Sequence, residues 1–463
     1  MDSRVETFLA QLQGKRVAFL GLGGSNLPLA KAFCRHGATV LACDKRQTAQ
    51  LGDIAPELQA LGITLCTGEC YLDDLNVDLI FRTPGMRFHT PQLEAARARG
   101  IAVTSEMEVF FDLCSCPIYA VTGSDGKTTT TTILSEFLKA AGKTVHLGGN
   151  IGTPLLPKIT QITPQDITVA ELSSFQLISM RRSPMVAVVT NLSPNHLDMH
   201  KDMDEYVQAK RNLVLHQTAC STTVLNADCP LTMGFARDVR GQLRTFSSTQ
   251  RCQYGAYLRS DDMIVMAQGE QTTEVLHASD IRIPGRHNIE NYLAAITAVW
   301  GAVPRETIIE VARTFGGVPH RAELVRVVNG VSYYNDSIGT SPSRTTNGTL
   351  QLYDRPIILI AGGYDKNLCY DELGTVIART VKRLILMGAT ADKIETAVKC
   401  APNYDAQTLQ ILHAGSMEEA VQLAHTHAQP GDIVSLSPAS ASFDLYPNFE
   451  ARGNHFKDLI NKL

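Results

Sequence analysis

The stretch VTGSDGKTTTTTIL, residues 121–134, holds the residue types best suited to phosphate chemistry in this chain. A strand, a glycine-bearing loop and a helix follow in order, so backbone N–H groups at the helix start can face an anion. Lys127 can reach terminal phosphates, and the Thr128 hydroxyl is a hard oxygen ligand for magnesium. An ordinary GxxxxGK[ST] loop would begin with glycine at position 121, where this chain has Val121; its first glycine is Gly123. The loop is therefore shorter than the common nucleotide triphosphatase form, and Gly123, Ser124, Asp125, Gly126, Lys127, Thr128 and Thr129 are its candidate contacts.

Other reactive types are spread along the chain. Glu171 ends the apolar run DITVAE, a good place for a site carboxylate. In NHLDMH, His196 and His200 stand four apart: a solvated helix start, or a zinc pair that lacks the glutamate of HExxH. Asn288 and Asn291 open the helical pattern GRHNIENYLAA, where amides cap a helix or face a base. GLGGSN, residues 21–26, with Asp44 about twenty residues on, invites a dinucleotide reading. The third glycine is replaced by Asn26 and Pro28 sits at the helix start, so a ligand-free turn, or a different nucleotide diphosphate, fits as well. Lys45 and Arg46 beside it either meet phosphate or are simply solvated.

The elements that must position these residues are strands alternating with helices. Strand patterns at Val17–Leu20, Thr39–Cys43, VDLIFRTPG and IAVTSE make one α/β series, and CPIYAVTG, DITVAELS and MVAVVTNLS a second. RPIILIAGG, RLILMGA and GDIVSLSPAS make a third. The alternating stretch from about Thr245 to Asp280 predicts a short antiparallel hairpin. With 463 residues, three domains are expected, at 1–108, 109–316 and 317–463. The net charge of -4 gives no support for bulk binding to nucleic acid or to an anionic membrane. No run of eighteen apolar residues and no signal peptide is present, so a cytoplasmic protein is expected. The eleven cysteines lack paired CxxC spacing and are expected to be reduced.

The short loop resembles that of the ATP-dependent Mur ligase and folylpolyglutamate synthetase superfamily, and further motifs follow in that family's order. They are GGNIG, ELSSFQL, NLSPNHLDMH, YVQAKRNL, GRHNIENYLAA, VPHR, YYNDSIGTSP, GGYDK and LSPASASFDLYPNFEARGNHF. The chain is identified as a member of that superfamily along essentially its whole length, and is most similar to the branch that adds D-glutamate to UDP-N-acetylmuramoyl-L-alanine. The resemblance implies an N-terminal Rossmann-like UDP-binding domain, a central P-loop-type ATPase domain with a parallel sheet, and a C-terminal Rossmann-like domain. It implies ATP, two magnesium ions, an acyl-phosphate intermediate, no nucleic-acid or membrane partner, and a monomer.

By the same resemblance Lys127, Glu171, His196 and Lys210 are catalytic. Thr128, Glu171, His196 and a carbamylated Lys210 hold metal, while Asn288, Asn291, Arg321 and Asp336 join the loop in holding ATP. Ser25, Asn26, Asp44, Lys45, Arg46, Thr83, Gly85, Asn150 and Gln176 match positions for the UDP substrate. Thr340, Lys366, Ser442 and Phe449 match positions for D-glutamate. One departure stands out: where many members read NDSK, this chain has Ile338, and Arg344 is the cation expected to replace the missing charge. A sister ligase and, in another class, an NAD-binding dehydrogenase built on GLGG and Asp44 are the alternatives.

Overall fold

The computed structural model describes residues 2–193 and 200–463, which fall into two compact units. The first comprises residues up to Asp280 together with Ile289–Val311; the second comprises Ile281–Asn288 and Ala312–Leu463.

Two parallel sheets build most of the first unit. β1 (Arg16–Leu20), β2 (Thr39–Asp44), β3 (Thr64–Thr67), β4 (Leu79–Arg82) and β5 (Ala102–Thr104) lie in the order 3-2-1-4-5. β6 (Ile118–Thr122), β7 (Val145–Gly149), β8 (Ile167–Glu171), β9 (Val186–Val189), β10 (Thr222–Asn226) and β11 (Gln242–Phe246) lie in the order 11-10-9-6-8-7. β6, β8 and β9 are buried along their whole length, as parallel strands covered by helices on both faces must be. Phe19, Phe33 and Phe81 pack ring to ring at 5.0–5.4 Å under the first sheet. The expected hairpin is instead a three-stranded antiparallel sheet of β12 (Tyr254–Leu258), β13 (Met263–Gln268) and β14 (Gln271–His277). Thr245, expected to open it, lies in β11 and pairs with Leu225 in the parallel sheet.

The second unit holds β15 (Glu323–Val328), β16 (Val331–Asn335), β17 (Ile357–Ala361), β18 (Val381–Leu386), β19 (Gln410–His413) and β20 (Ile433–Leu436) in the order 15-16-20-17-18-19. Only β15 is antiparallel. Separate apolar clusters cover the two faces, one around Tyr333, Ile360 and Phe456 and one around Leu359, Leu373 and Leu384. In all three parallel series the loops that follow the strands carry the motif residues, the end at which open α/β sheets bind ligands.

Candidate active site

β6 delivers Thr122 into the loop Gly123–Gly126, and the helix Lys127–Ala140 starts directly behind it. The loop is pinned from below. Ser124 N–H donates to Asn191 O (2.9 Å), the Ser124 hydroxyl pairs with Tyr206 (2.8 Å), and Asp125 N–H donates to Asn191 Oδ1 (2.8 Å). A side chain at Gly123 would put Cβ 1.9 Å from Thr190 Oγ1, so only glycine lets the loop lie this close to β9. Lys127 Nζ donates to the carbonyls of Gly123 (3.0 Å) and Ser124 (2.9 Å), folded over its own loop.

Beside the loop, Glu171 ends β8 in register with Val121 of β6. It is 1% exposed; Oε1 accepts from Asn150 Nδ2 at 2.7 Å, while Oε2 is buried without a hydrogen-bond partner among the described residues. An unpartnered, buried carboxylate oxygen is costly unless a cation meets it. Lys210 comes from the helix Met203–Leu215, is 2% exposed, and donates to Gly123 O (2.8 Å) and Thr122 Oγ1 (3.1 Å). Burial, and after it the charge of Lys127, holds its amine well below the usual lysine range. Lys127, Glu171 and Lys210 are thus gathered at the ends of β6 and β8 with Thr128 in the first helical turn. His196 lies outside the described residues. The alternative zinc partner, His200, has both ring nitrogens engaged, by Ser174 Oγ at 2.8 Å and Glu205 at 3.2 Å. Asn291 does not cap its helix but accepts from Thr130 Oγ1 at 3.1 Å; Asn288 Nδ2 donates to Pro284 O.

A cleft in this first unit has a volume of about 200 Å3 and is lined by Ser25, Pro84, Glu106, Asn150, Gly152 and Gln176, among others. Asn150 faces it while holding Glu171, and Gln176 Oε1 accepts from Ser173 N–H (2.9 Å). Thr83 closes on Gly21, Gly85 and Lys45 are exposed, and Arg46 binds Asp44 through a forked pair of 2.9 Å bonds. Asp44 also accepts from Leu22 N–H (2.8 Å). Against its burial, the Arg46 and backbone donors bring its carboxyl down to about 2. The dehydrogenase alternative needs this acid for a ribose, whereas here it organises the turn. Asn26 is placed differently from expectation: it is 1% exposed, and its Nδ2 donates to Leu20 O (3.0 Å) and Gly21 O (3.1 Å), under the turn. The helix Asn26–Arg35 simply takes Pro28 into its first turn, where a missing N–H does no harm.

Glu106 was not singled out by sequence reasoning. It is 5% exposed, and one oxygen accepts from both Leu155 and Leu156 N–H at 2.8 Å, fixing the loop that carries Asn150.

In the second unit the loops after β16, β17 and β20 converge. Asp336 is buried and accepts from Thr349 Oγ1 (2.5 Å), Ser437 Oγ (2.9 Å) and Ala322 N–H (3.2 Å); burial outweighs these donors and raises its carboxyl. Arg344 favours the ionised form of Asp336. Arg321 lies between two residues of left-handed backbone, His320 (φ 63°) and Ala322 (φ 42°). Thr340 is half-buried, Lys366 exposed, Ser442 buried, and Phe449 packs edge-on to His320 at 5.9 Å. Arg452, also missed, is 3% exposed and joins the loops: its guanidinium donates to the Ser337 hydroxyl (3.0 Å) and carbonyl (2.9 Å) and to Ser440 and Ala441 carbonyls. Burial lowers it to about 10.

Three family descriptions match in order: "Mur ligase MurD-like, N-terminal domain" over residues 15–105, "Mur ligase middle domain" over 121–299, and "Mur ligase, glutamate ligase domain" over 320–440. The UDP-N-acetylmuramoylalanine--D-glutamate ligase of Acetivibrio thermocellus is 50% identical with both chains covered completely. Those of Ruminiclostridium cellulolyticum and Clostridium botulinum are 46% identical, again over 100% of each chain. Among solved structures, a UDP-N-acetylmuramate-alanine ligase from Thermotoga maritima superposes with a TM-score of 0.57 at 17% identity, covering 97% of this chain and 99% of that one, a likeness of fold. The short phosphate loop, the carboxylate and buried lysine beside it, and full-length identity to these ligases lead to one assignment: the chain belongs to the Mur ligase family.

Proposed function

We propose that this Mur ligase joins D-glutamate to UDP-N-acetylmuramoyl-L-alanine at the expense of ATP. The observation that carries the reading is that half of all residues are identical, end to end, to a ligase named for that reaction. The reaction has two steps: the substrate carboxylate takes the γ-phosphoryl group of ATP, releasing ADP, and the D-glutamate amine then displaces phosphate from the acyl phosphate, leaving an amide and a proton. Little covalent work falls to the protein, so positioning and charge neutralisation are its tasks.

Loop N–H groups and Lys127 would hold the β and γ phosphates. The buried Oε2 of Glu171 and the Thr128 hydroxyl suit magnesium, which when bound neutralises phosphate charge. His196 and Lys210 would serve a second ion. Carbamylation gives Lys210 a negative oxygen ligand, and a buried amine held neutral is the form that takes up carbon dioxide. Asn288, Asn291, Arg321 and Asp336 are assigned to ATP. The UDP substrate is assigned to the cleft at Ser25, Asn150 and Gln176, with Asp44, Lys45, Arg46, Thr83 and Gly85; Asn26 supports the turn from beneath. Thr340, Lys366, Ser442 and Phe449 are assigned to D-glutamate. The protein acts as a cytoplasmic monomer in this reading; among the described residues no helix is long and apolar enough to cross a membrane.

The test is phosphate release from ATP by the purified chain with magnesium and UDP-N-acetylmuramoyl-L-alanine, adding D-glutamate, L-glutamate, L-alanine or L-lysine in turn. Release that requires D-glutamate is expected. Release with another amino acid instead would assign a sister activity.

A further inference from the structure

Cys114 and Cys116 lie away from every residue assigned above, at the junction between the helix Glu106–Leu113 and β6. They stand two apart in the chain, and their sulfurs are 3.5 Å apart. Cys114 is half-buried and Cys116 is 5% exposed, so Cys114 is the more accessible member of the pair. The Thr168 hydroxyl reaches both, at 3.3 Å from Cys116 and 3.8 Å from Cys114. The His146 side chain, tied to Asp166 at 3.0 Å, sits beside Thr168 on the neighbouring strand.

A single proton shared between two sulfurs stabilises a thiolate at the inner one: the Cys114 S–H, outweighing burial, holds Cys116 below the usual cysteine range while Cys114 is pushed up. The outer sulfur attacks as its proton passes to the Cys116 thiolate 3.5 Å away, which thus serves as its base. Cys43 and Cys66 also face each other across β2 and β3, with Cys66 half-buried, but the Cys43 thiol is fully buried and pushed up, by burial first.

We propose that Cys114 and Cys116 are a dithiol modification site that reacts with small-molecule disulfides and closes to an intramolecular disulfide. In the first step the Cys114 thiolate attacks one sulfur of RS–SR, forming Cys114–S–S–R and releasing RS−. In the second the Cys116 thiolate attacks Cys114 Sγ and releases the second RS−. The two thiol protons end on the two RSH molecules, so the protein loses two hydrogens and the disulfide reagent gains them. Closure needs the sulfurs to move from 3.5 Å to bonding distance.

The two thiols fall in one tryptic peptide, residues 100–127, with no other cysteine. The native full chain is treated with hydroxyethyl disulfide, quenched with iodoacetamide at intervals, digested without reduction and weighed. The peptide is expected to appear lighter by two hydrogens, at a rate about tenfold or more above the labelling of the exposed Cys70, Cys220, Cys369 and Cys400. Cys116→Ser is expected to stop at a mixed disulfide on Cys114, and Cys114→Ser to abolish the fast phase; both are first checked for native circular dichroism. Two separate mixed disulfides on the peptide, or closure no faster than labelling of the exposed thiols, would overturn the proposal. Because the readout is mass alone, it stands or falls independently of the ligase assignment.

Discussion

At the scale of single residues, Glu171 is the sharpest test. Replacing it by glutamine keeps its shape and leaves an oxygen for Asn150 while removing the charge that Oε2 offers a cation. Glu171→Gln is expected to lower kcat by about a hundredfold or more and to raise the magnesium concentration for half-maximal rate, with thermal stability retained or increased. The second test concerns Lys210. Lys210→Arg keeps hydrogen-bond donors for Gly123 and Thr122 but cannot form the carbamate, so ATP-dependent phosphate release is expected to vanish, whereas the unaltered enzyme should slow in carbon-dioxide-free buffer and recover with bicarbonate. Full activity of the arginine variant would remove carbamylation from the mechanism.

Between residue and fold lie the turns and helix ends that hold these groups. Gly149 is left-handed (φ 97°), and a Cβ there would stand 2.3 Å from the Glu171 carbonyl, the oxygen that also accepts Asn150 N–H. Gly149→Ala is expected to lower unfolding free energy in urea by about 2–3 kcal/mol, combining strained backbone with a clash against main chain. Arg452 ties the loop after β16 to the loop after β20, so Arg452→Lys, which cannot fork to the same carbonyls, should raise the KM for D-glutamate about tenfold and that for ATP less than twofold. These elements also mark where sequence reasoning works and where it stops. Apolar runs such as IYAVT and ITVAE announce buried parallel strands, and the phosphate loop is legible because its chemistry is local. Glu106 reaches Leu155 across 49 positions and Arg452 reaches Ser337 across 115, so nothing near either residue signals its partner. Asn26 is a different case: its Leu20 and Gly21 partners lie only six and five positions away, but its amide turns inward to β1 and the glycine turn, a direction that type and spacing do not encode.

For the molecule as a whole, buried carboxyls pull its pH dependence in two directions. Asp44 has its folded value depressed from 3.8 to about 2, so the stability it contributes is complete above about pH 4 and lost as the pH falls toward 2. Glu106, Glu108 and Asp336 are raised by burial, so they oppose that loss by favouring the folded state once protonated. Urea midpoints measured from pH 5 to pH 2 are expected to fall for the parent chain and to fall less steeply for Asp44→Asn; identical slopes would show that the Asp44–Arg46 pair is screened by solvent.

The Gly123 carbonyl accepts from two amines at once, Lys127 at 3.0 Å and Lys210 at 2.8 Å. A carbonyl oxygen has two lone pairs, and both are taken. A phosphate that draws Lys127 away hands one lone pair back, so whatever happens at one lysine changes the surroundings of the other through a shared atom. Linkage then runs both ways: the two amines form a coupled pair, and any ligand that discriminates between states of one must shift the equilibrium of the other by the same factor.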